Sequence, residues 1–293
     1  MTFLANLLTS MRPKQWTKNG IVFGALIFSQ NLFDLAKLIA VCEAFLLFCL
    51  TSGTVYLLND IIDRDKDRQH PQKRLRPIPS GQLSVKTAFM LLIVLGVVGQ
   101  LLAFWLHPLF FGITFAYMLI NAAYSLFLKH VVIIDVLVIS LGFVLRAIAG
   151  GIVINTEISA WLLVCTFLLA LFLALSKRRN ELVVFVDSPE QHRRVLMDYS
   201  IELLDHLITI VAAATIMAYS LYTFDDRTVQ TFETTHLSVT IPFVVYGIFR
   251  YLYLIHKKGL GGRPELILLT DKGILTNVLI WLMTSIGVIY FKL

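Results

Sequence analysis

Long apolar runs separated by short polar connections constrain this chain more than any other feature. Apolar runs recur near 19–33, 36–58, 84–105, 108–128, 131–153, 159–176, 203–222, 237–256 and 273–291. A helix needs roughly 20 apolar residues to cross about 30 Å of hydrocarbon, and most of these runs meet that requirement. Lipid offers no partners to backbone N–H and C=O groups, so each run is expected to be helical. The 293 residues are 57% hydrophobic and 15% charged, more apolar surface than a soluble core of this length absorbs. The expected fold is therefore all-α: a polytopic membrane protein of about nine transmembrane helices. Residues 1–293 read as one integral-membrane domain, with two four-helix halves, roughly 19–128 and 131–256, and a ninth helix at 273–291. The halves rest on the long charged connections after the second and sixth runs, without a clear sequence repeat. The first run is the shortest, which leaves room for an interfacial start.

Charge orients the bundle. Of 25 Lys and Arg residues, 20 fall at ends or connections on the N-terminal side of the membrane. Lys37, Arg227 and Lys292 lie on the other side, and Arg146 and Arg250 lie within spans. The expectation is N-terminus inside, C-terminus outside, in a bacterial-type cytoplasmic membrane. The net charge of +6 is then a product of basic inner loops and does not call for nucleic acid. The first residues lack the basic start and small-residue site of a cleaved signal peptide. Cys42, Cys49 and Cys165 lie in apolar runs without metal-ligand spacing, and read as packing residues.

The chemistry concentrates after the second run, in "NDIIDRDKDRQHPQKRLRPIPSG". Asp60, Asp63 and Asp67 stand at i, i+3 and i+7 and share a helical face, with Asn59 beside them. Asp65 falls near the opposite side and is expected to be solvated or paired with a base. Oxygen ligands without His or Cys point to Mg²⁺ rather than zinc, and Mg²⁺ on few carboxylates usually bridges to substrate phosphates. The same loop supplies Arg68, Lys73, Arg74 and Arg76, suited to phosphate oxygens. The bland alternative is a solvated loop whose acids merely balance its bases. "RPIPSG" is expected to stiffen the return into the third helix.

"NDIIDRDKD" followed by "RPIPSG" resembles the first Asp-rich motif of the UbiA-type superfamily of intramembrane prenyltransferases. "MRPKQW" and "YSLFLK" resemble its other marks. The resemblance covers the whole chain and implies a helical bundle around a central cavity open to the cytoplasm and to lipid. Such enzymes usually carry a second Asp-rich motif after helix six; here the stretch is "SKRRNEL", with Lys177, Arg178, Arg179 and a single acid, Glu181. Together with "RPKQWTKN", "KHVVIIDVLVISLGFVLRAIAG" and "LLTDK", this is similar to the branch that moves 5-phosphoribosyl from 5-phosphoribosyl 1-diphosphate to a polyprenyl phosphate. The alternative within the superfamily is transfer of a prenyl group from an allylic diphosphate to an aromatic or similar acceptor; that reading expects acids where Lys177 and Arg178 stand. A non-catalytic transporter would need charges spread along a pathway, and here they gather at the inner ends.

The resemblance implies a catalytic set of Asp60, Asp63, Asp67 and Glu181, with Mg²⁺ on Asn59, Asp60, Asp63 and Asp67. Substrate contacts are expected from Lys18, Asn19, Arg74, Arg76, Tyr124, Lys129, Asp135, Arg146, Lys177 and Arg178. Lys14 lies one α-helical turn from Lys18, and both serve equally well as positive-inside anchors. Asp135 is read as one to two turns into the fifth helix, where an acid is functional by default or forms an ion pair with Lys129. Arg146, three turns further along nearly the same face, needs an acid or a phosphate. Arg250 either lines the pocket or reaches the inner surface, and Asp271 is either a site residue or a helix cap. "SPEQHRRV" reads as a helix start, with Ser188 as cap, Pro189 and Gln191 in its first turn, and Arg193 and Arg194 toward lipid. The partners expected are the phosphoribosyl donor, the polyprenyl phosphate and the bilayer, with no nucleic acid; a homo-oligomer is compatible with the sequence.

Overall fold

Residues 3–184, 194–262, 266–267 and 270–292 are described by the structure, a computed structural model, and their regular elements are all helical. The expected helix start at Ser188–Gln191 and Arg193 lies outside the described residues, as does the Arg194 side chain. In chain order the α-helices are α1 (Phe3–Met11), α2 (Gly24–Phe28), α3 (Leu35–Ile62), α4 (Arg64–Gln69), α5 (Val85–Leu106) and α6 (Pro108–Leu126). They continue with α7 (Ile134–Val153), α8 (Ala160–Val184), α9 (Ile201–Phe224), α10 (Asp226–Phe232), α11 (Ile241–Lys258) and α12 (Lys272–Phe291). Among the described residues, eight helices are long and apolar enough to cross a membrane: α3, α5, α6, α7, α8, α9, α12 and the stretch His236–Lys258 that contains α11.

The first of the nine expected spans takes a different form. Pro13–Phe23 is a 3₁₀-helix, and only Gly24–Phe28 is α-helical. The short run explains the value of this geometry. Eleven residues at a rise of about 2.0 Å and five at about 1.5 Å reach roughly 30 Å, the thickness of the hydrocarbon, whereas an α-helix of the same residues reaches only about 24 Å. Burial follows the period of three: Lys14, Thr17 and Gly20 are exposed, while Asn19 and Val22 are buried behind half-buried Trp16. Lys14 and Lys18 therefore do not share a face, because the α-helical spacing that would align them is absent.

The contacts divide the chain into two compact units. The first comprises residues 1–26, 31–138 and 145–157. In it α3 packs on α1, α5, α6 and the 3₁₀ segment, and α5 packs on α6. Leu57, Ile78, Leu83 and Ala88 form a core cluster, so the return loop is fixed against α3 and α5 by buried apolar groups. The second unit comprises residues 27–30, 139–144 and 158–293. Here α8 packs on α9, α9 on α11, and α11 on α12, with Tyr219, Tyr222, Phe232, Leu237, Val288 and Ile289 in its core. Exposed Phe89, Ile93, Val97 and Leu101 on α5 form the kind of apolar surface that lipid solvates.

Helix length sets the depth of the polar motifs. The 28 residues of α3 extend about 42 Å, longer than the hydrocarbon by roughly 12 Å. Its last turns, with Asn59 and Asp60, can thus stand beyond the apolar layer. The 25 residues of α8 likewise carry Lys177–Glu181 on a helix too long for the hydrocarbon alone.

Candidate active site

The backbone carries the acidic motif through a kink rather than a single helix. Asp63 ends α3 at φ −90° and ψ 6°, and α4 restarts at Arg64. Hydrogen bonds from Asp63 N to Asn59 O (2.9 Å) and from Asp67 N to Asp63 O (2.8 Å) keep the helical spacing across it. Asp60 and Asp67 consequently meet at one guanidinium: Arg76 Nη1 donates to Asp67 Oδ2 at 2.6 Å and to Asp60 Oδ1 at 3.1 Å. Asp60 Oδ1 also accepts from Arg12 Nη2, and Lys73 Nζ lies 4.0 Å from Asp67 Oδ1. Asp63 turns to Lys129, whose Nζ donates to it at 2.7 Å. Asn59 Oδ1 accepts from the Ser125 hydroxyl. Asp65 is exposed, 4.0 Å from Arg68, as expected for the outer side.

Asp60 and Asp67 are buried, and Asp60 Oδ2 is a buried oxygen with no hydrogen-bond partner. An orphaned carboxylate oxygen of this kind is costly unless a cation completes it. That oxygen, in a donor set of carboxylate and amide oxygens without His or Cys, fits Mg²⁺. Among the described residues no three His, Cys, Asp or Glu side chains form a ready cation cage. The fit is therefore to a metal that takes few protein ligands. Arg76 is held below the ordinary arginine value, first by burial and then by Arg12, against the pull of Asp60 and Asp67. Arg74, by contrast, is exposed in the same loop.

A second cluster of the first unit lies deeper in the helices. Buried Arg146 on α7 donates through Nε to Asn19 Oδ1 and through Nη2 to Tyr117 Oη, both at 2.7 Å. Its guanidinium lies 4.8 Å from the centroid of the Tyr117 ring. Asn19 Nδ2 in turn donates to Cys49 Sγ at 3.3 Å and to Ser52 Oγ at 3.2 Å. The expected residues Asn19 and Arg146 thus come together. Asp135 is buried in the first turn of α7, shallower than the sequence reading placed it, because that helix starts at Ile134. Tyr124 and Lys18 are half-buried.

In the second unit, α8 sorts its basic motif by face. Arg178 is buried and donates to Glu181 at 2.7 Å, one turn on. Arg179 instead grips Asp205 of α9 through Nε and Nη2, and His256 Nε2 lies 3.2 Å from the same carboxylate. Lys177 is half-buried. Arg250 pairs with Asp271 at 2.9 Å, and Asp271 also caps α12 by accepting from Ile274 N. The hydrogen bond from Arg250 holds the Asp271 carboxyl below its usual range.

Sequence reasoning assigned no role to Arg12, Tyr117, Ser125 or Asp205. Arg12 stood within a motif already noticed, "MRPKQW", and only its contact with Asp60 marks it out. Ser125 likewise stood within "YSLFLK", whereas Tyr117 and Asp205 carried no signal, being ordinary polar residues in apolar helices.

Residues 20–180 match the model of the UbiA prenyltransferase family. The chain belongs to that family. It is 33% identical to a decaprenyl-phosphate phosphoribosyltransferase of Mycolicibacterium smegmatis, over 99% of this chain and 94% of the relative. The enzyme of that name from Mycobacterium tuberculosis is 32% identical over 96% of this chain and 93% of its own length. Among solved structures, a UbiA homologue of Archaeoglobus fulgidus bound to DMAPP and Mg²⁺ superposes with a TM-score of 0.74. It is 19% identical, with 97% of this chain and 99% of the other covered, so the UbiA fold is shared. The same homologue bound to GPP and Mg²⁺ superposes equally well. This UbiA-family chain is thus a membrane-embedded transferase.

Proposed function

We propose that the chain transfers 5-phosphoribosyl from 5-phosphoribosyl 1-diphosphate to a polyprenyl phosphate, releasing diphosphate, at the cytoplasmic face of the membrane. The observation that carries this reading is similarity along the whole chain to decaprenyl-phosphate phosphoribosyltransferases, combined with a basic α8 end. Asp60, Asp63 and Asp67, with Asn59 beside them, would hold Mg²⁺, which when bound offsets charge on the departing diphosphate. Arg76, Arg74 and Lys73 supply donors for the diphosphate oxygens. Lys177 and Arg178 serve the 5-phosphate of the donor or the phosphate of the acceptor, and Glu181 receives a ribose hydroxyl or fixes Arg178. Lys18, Asn19, Tyr124, Lys129, Asp135 and Arg146 complete the polar lining.

In the transfer, the bond from ribose C1 to the diphosphate oxygen breaks, and the diphosphate leaves with its electron pair. A phosphate oxygen of the acceptor forms the new bond to C1 from the opposite face. The acceptor is already ionised, so no general base is needed. Interactions aimed at charge that develops on the leaving group are the largest source of acceleration in such a step. The excess of Lys and Arg on one side supports an inner active site with the N-terminus inside. The two four-helix halves and ninth helix remain the proposed organisation of the single domain.

Purified protein in detergent, with Mg²⁺, polyprenyl phosphate and radiolabelled phosphoribosyl diphosphate, tests the proposal. Label should enter the lipid phase and be lost with EDTA. No transfer of label, together with consumption of an allylic diphosphate in the presence of an aromatic acceptor, would overturn it in favour of ordinary prenyl transfer.

A further inference from the structure

The charge around Asp60 does not favour a bare divalent cation. Three carboxylates, Asp60, Asp63 and Asp67, face four cationic groups, Arg12, Lys73, Arg76 and Lys129, which leaves a surplus of one positive charge. Arg12 is not a loosely held member of this set. Its backbone is left-handed at φ 55°, and its guanidinium lies 4.8 Å over the Tyr56 ring. Met11 beside it presses on Gly53, where a Cβ would come within 2.6 Å of Met11 Cε. Gly53, Tyr56 and Asp60 stand at i, i+3 and i+7 on α3, so one face of that helix seats residues 11 and 12.

A divalent ion on Asp60 Oδ2 would share its carboxylate with two guanidinium groups on Oδ1, in surroundings where like charges repel strongly. A diphosphate reverses the sign. It brings more negative charge than one divalent ion cancels, and it gives each guanidinium an anionic partner of matching geometry. We propose that the Asp60–Asp67 site takes its metal only as the chelate of metal and organic diphosphate. Arg12 and Arg76 exclude the bare ion and bind the diphosphate of the chelate. This rests on reading the acidic motif as a metal–diphosphate site, and it adds Arg12 to the groups that touch substrate. By linkage, metal and diphosphate strengthen each other's binding by the same factor.

Equilibrium dialysis of Mn²⁺ against full-length protein in detergent, with and without inorganic diphosphate, reads the coupling without turnover. Wild-type protein should hold Mn²⁺ at least about tenfold more tightly when diphosphate is present. Arg12→Gln and Arg76→Gln should each hold Mn²⁺ alone at least about tenfold more tightly than wild type, and lose most of the gain from diphosphate. Arg12→Lys, which keeps the charge but not the fork of donors, should hold Mn²⁺ alone no more tightly than wild type and retain part of the gain from diphosphate; it also serves as the comparison if a Gln variant melts early. Equal Mn²⁺ affinity with and without diphosphate in wild type overturns the inference and leaves the metal reading intact. No retained Mn²⁺ under any condition overturns both.

Discussion

Gly150→Ala tests whether the buried Asn19–Arg146 contact is built by close approach of two backbones. A Cβ on residue 150 would lie 2.0 Å from the Val22 carbonyl oxygen and 2.9 Å from its carbon. The obstacle is backbone, so no side-chain rotation relieves it, and α7 must move more than an ångström from the 3₁₀ segment. Arg146 lies one turn before residue 150, and Asn19 one 3₁₀ turn before Val22. The separation therefore falls on the 2.7 Å hydrogen bond that joins them. Overpacking costs about 1–3 kcal/mol and loss of a hydrogen bond to a charged group about 1.5–3 kcal/mol, while Ala recovers up to about 1 kcal/mol of helix propensity. The net expectation is a destabilisation of about 2–5 kcal/mol. Fluorescence-monitored melting in detergent should show a drop of several degrees, with weakened donor binding in protein that remains folded. Gly112→Ala is the control: nothing lies within 4 Å of its added methyl, so it should be neutral or stabilising. A Gly150→Ala protein that melts with wild type and binds donor equally would refute the reasoning.

Asp205→Ala removes the carboxylate that receives two guanidinium hydrogen bonds from Arg179 and faces His256. It should cost about 1–3 kcal/mol of stability in a denaturant titration, and an unchanged midpoint would show that Arg179 is satisfied by solvent. Lys129→Met leaves Asp63 without its 2.7 Å partner; Mn²⁺ retained with diphosphate should rise, while a fall would mean that Lys129 is needed to place Asp63. His70 accepts backbone hydrogen bonds at Nδ1 from Gln72 (3.2 Å) and Lys73 (3.3 Å), and burial, then Lys73, lowers its pKa. Its neutral form is favoured on folding, so the contribution to stability is complete above the ordinary histidine pKa and declines as pH falls through that value toward the lowered one. Amide exchange at residues 72–76 should accelerate over that interval in wild type and be insensitive to pH in His70→Asn, after correction for intrinsic rates.

Eight of the nine spans were legible because each carries a helix-length apolar run, a signal that needs no tertiary knowledge. The 3₁₀ form of Pro13–Phe23 was hidden, since helix type there depends on how far sixteen residues must reach and on what Val22 touches. The stripe of Asp60, Asp63 and Asp67 followed from spacing, and Asp60 and Asp67 do converge on Arg76. Spacing could not show that Asp63 turns to Lys129, a partner 66 residues away in sequence. Spacing likewise could not show that Arg250 pairs with Asp271, which also caps α12 by accepting from Ile274 N. Tyr117 and Asp205 were silent because a hydroxyl or carboxylate in a long helix acquires meaning only from the neighbour it meets.

The extended coil at Pro13–Phe23 makes the seating of Arg12 a question of membrane thickness. Val22 is fixed against α7 at one end, and Arg12 reaches Asp60 just beyond the other. Were the eleven residues to relax to α-helical rise, the rod would shorten by about 5 Å, more than the length of any hydrogen bond. A thick bilayer favours the drawn-out rod, and a thin one favours its contraction, at a modest cost per ångström of mismatch. Lipid chain length would then act on the acidic motif through a strut rather than through any binding site for lipid. Liposomes of graded acyl length would turn this one helix into a gauge of the bilayer around it.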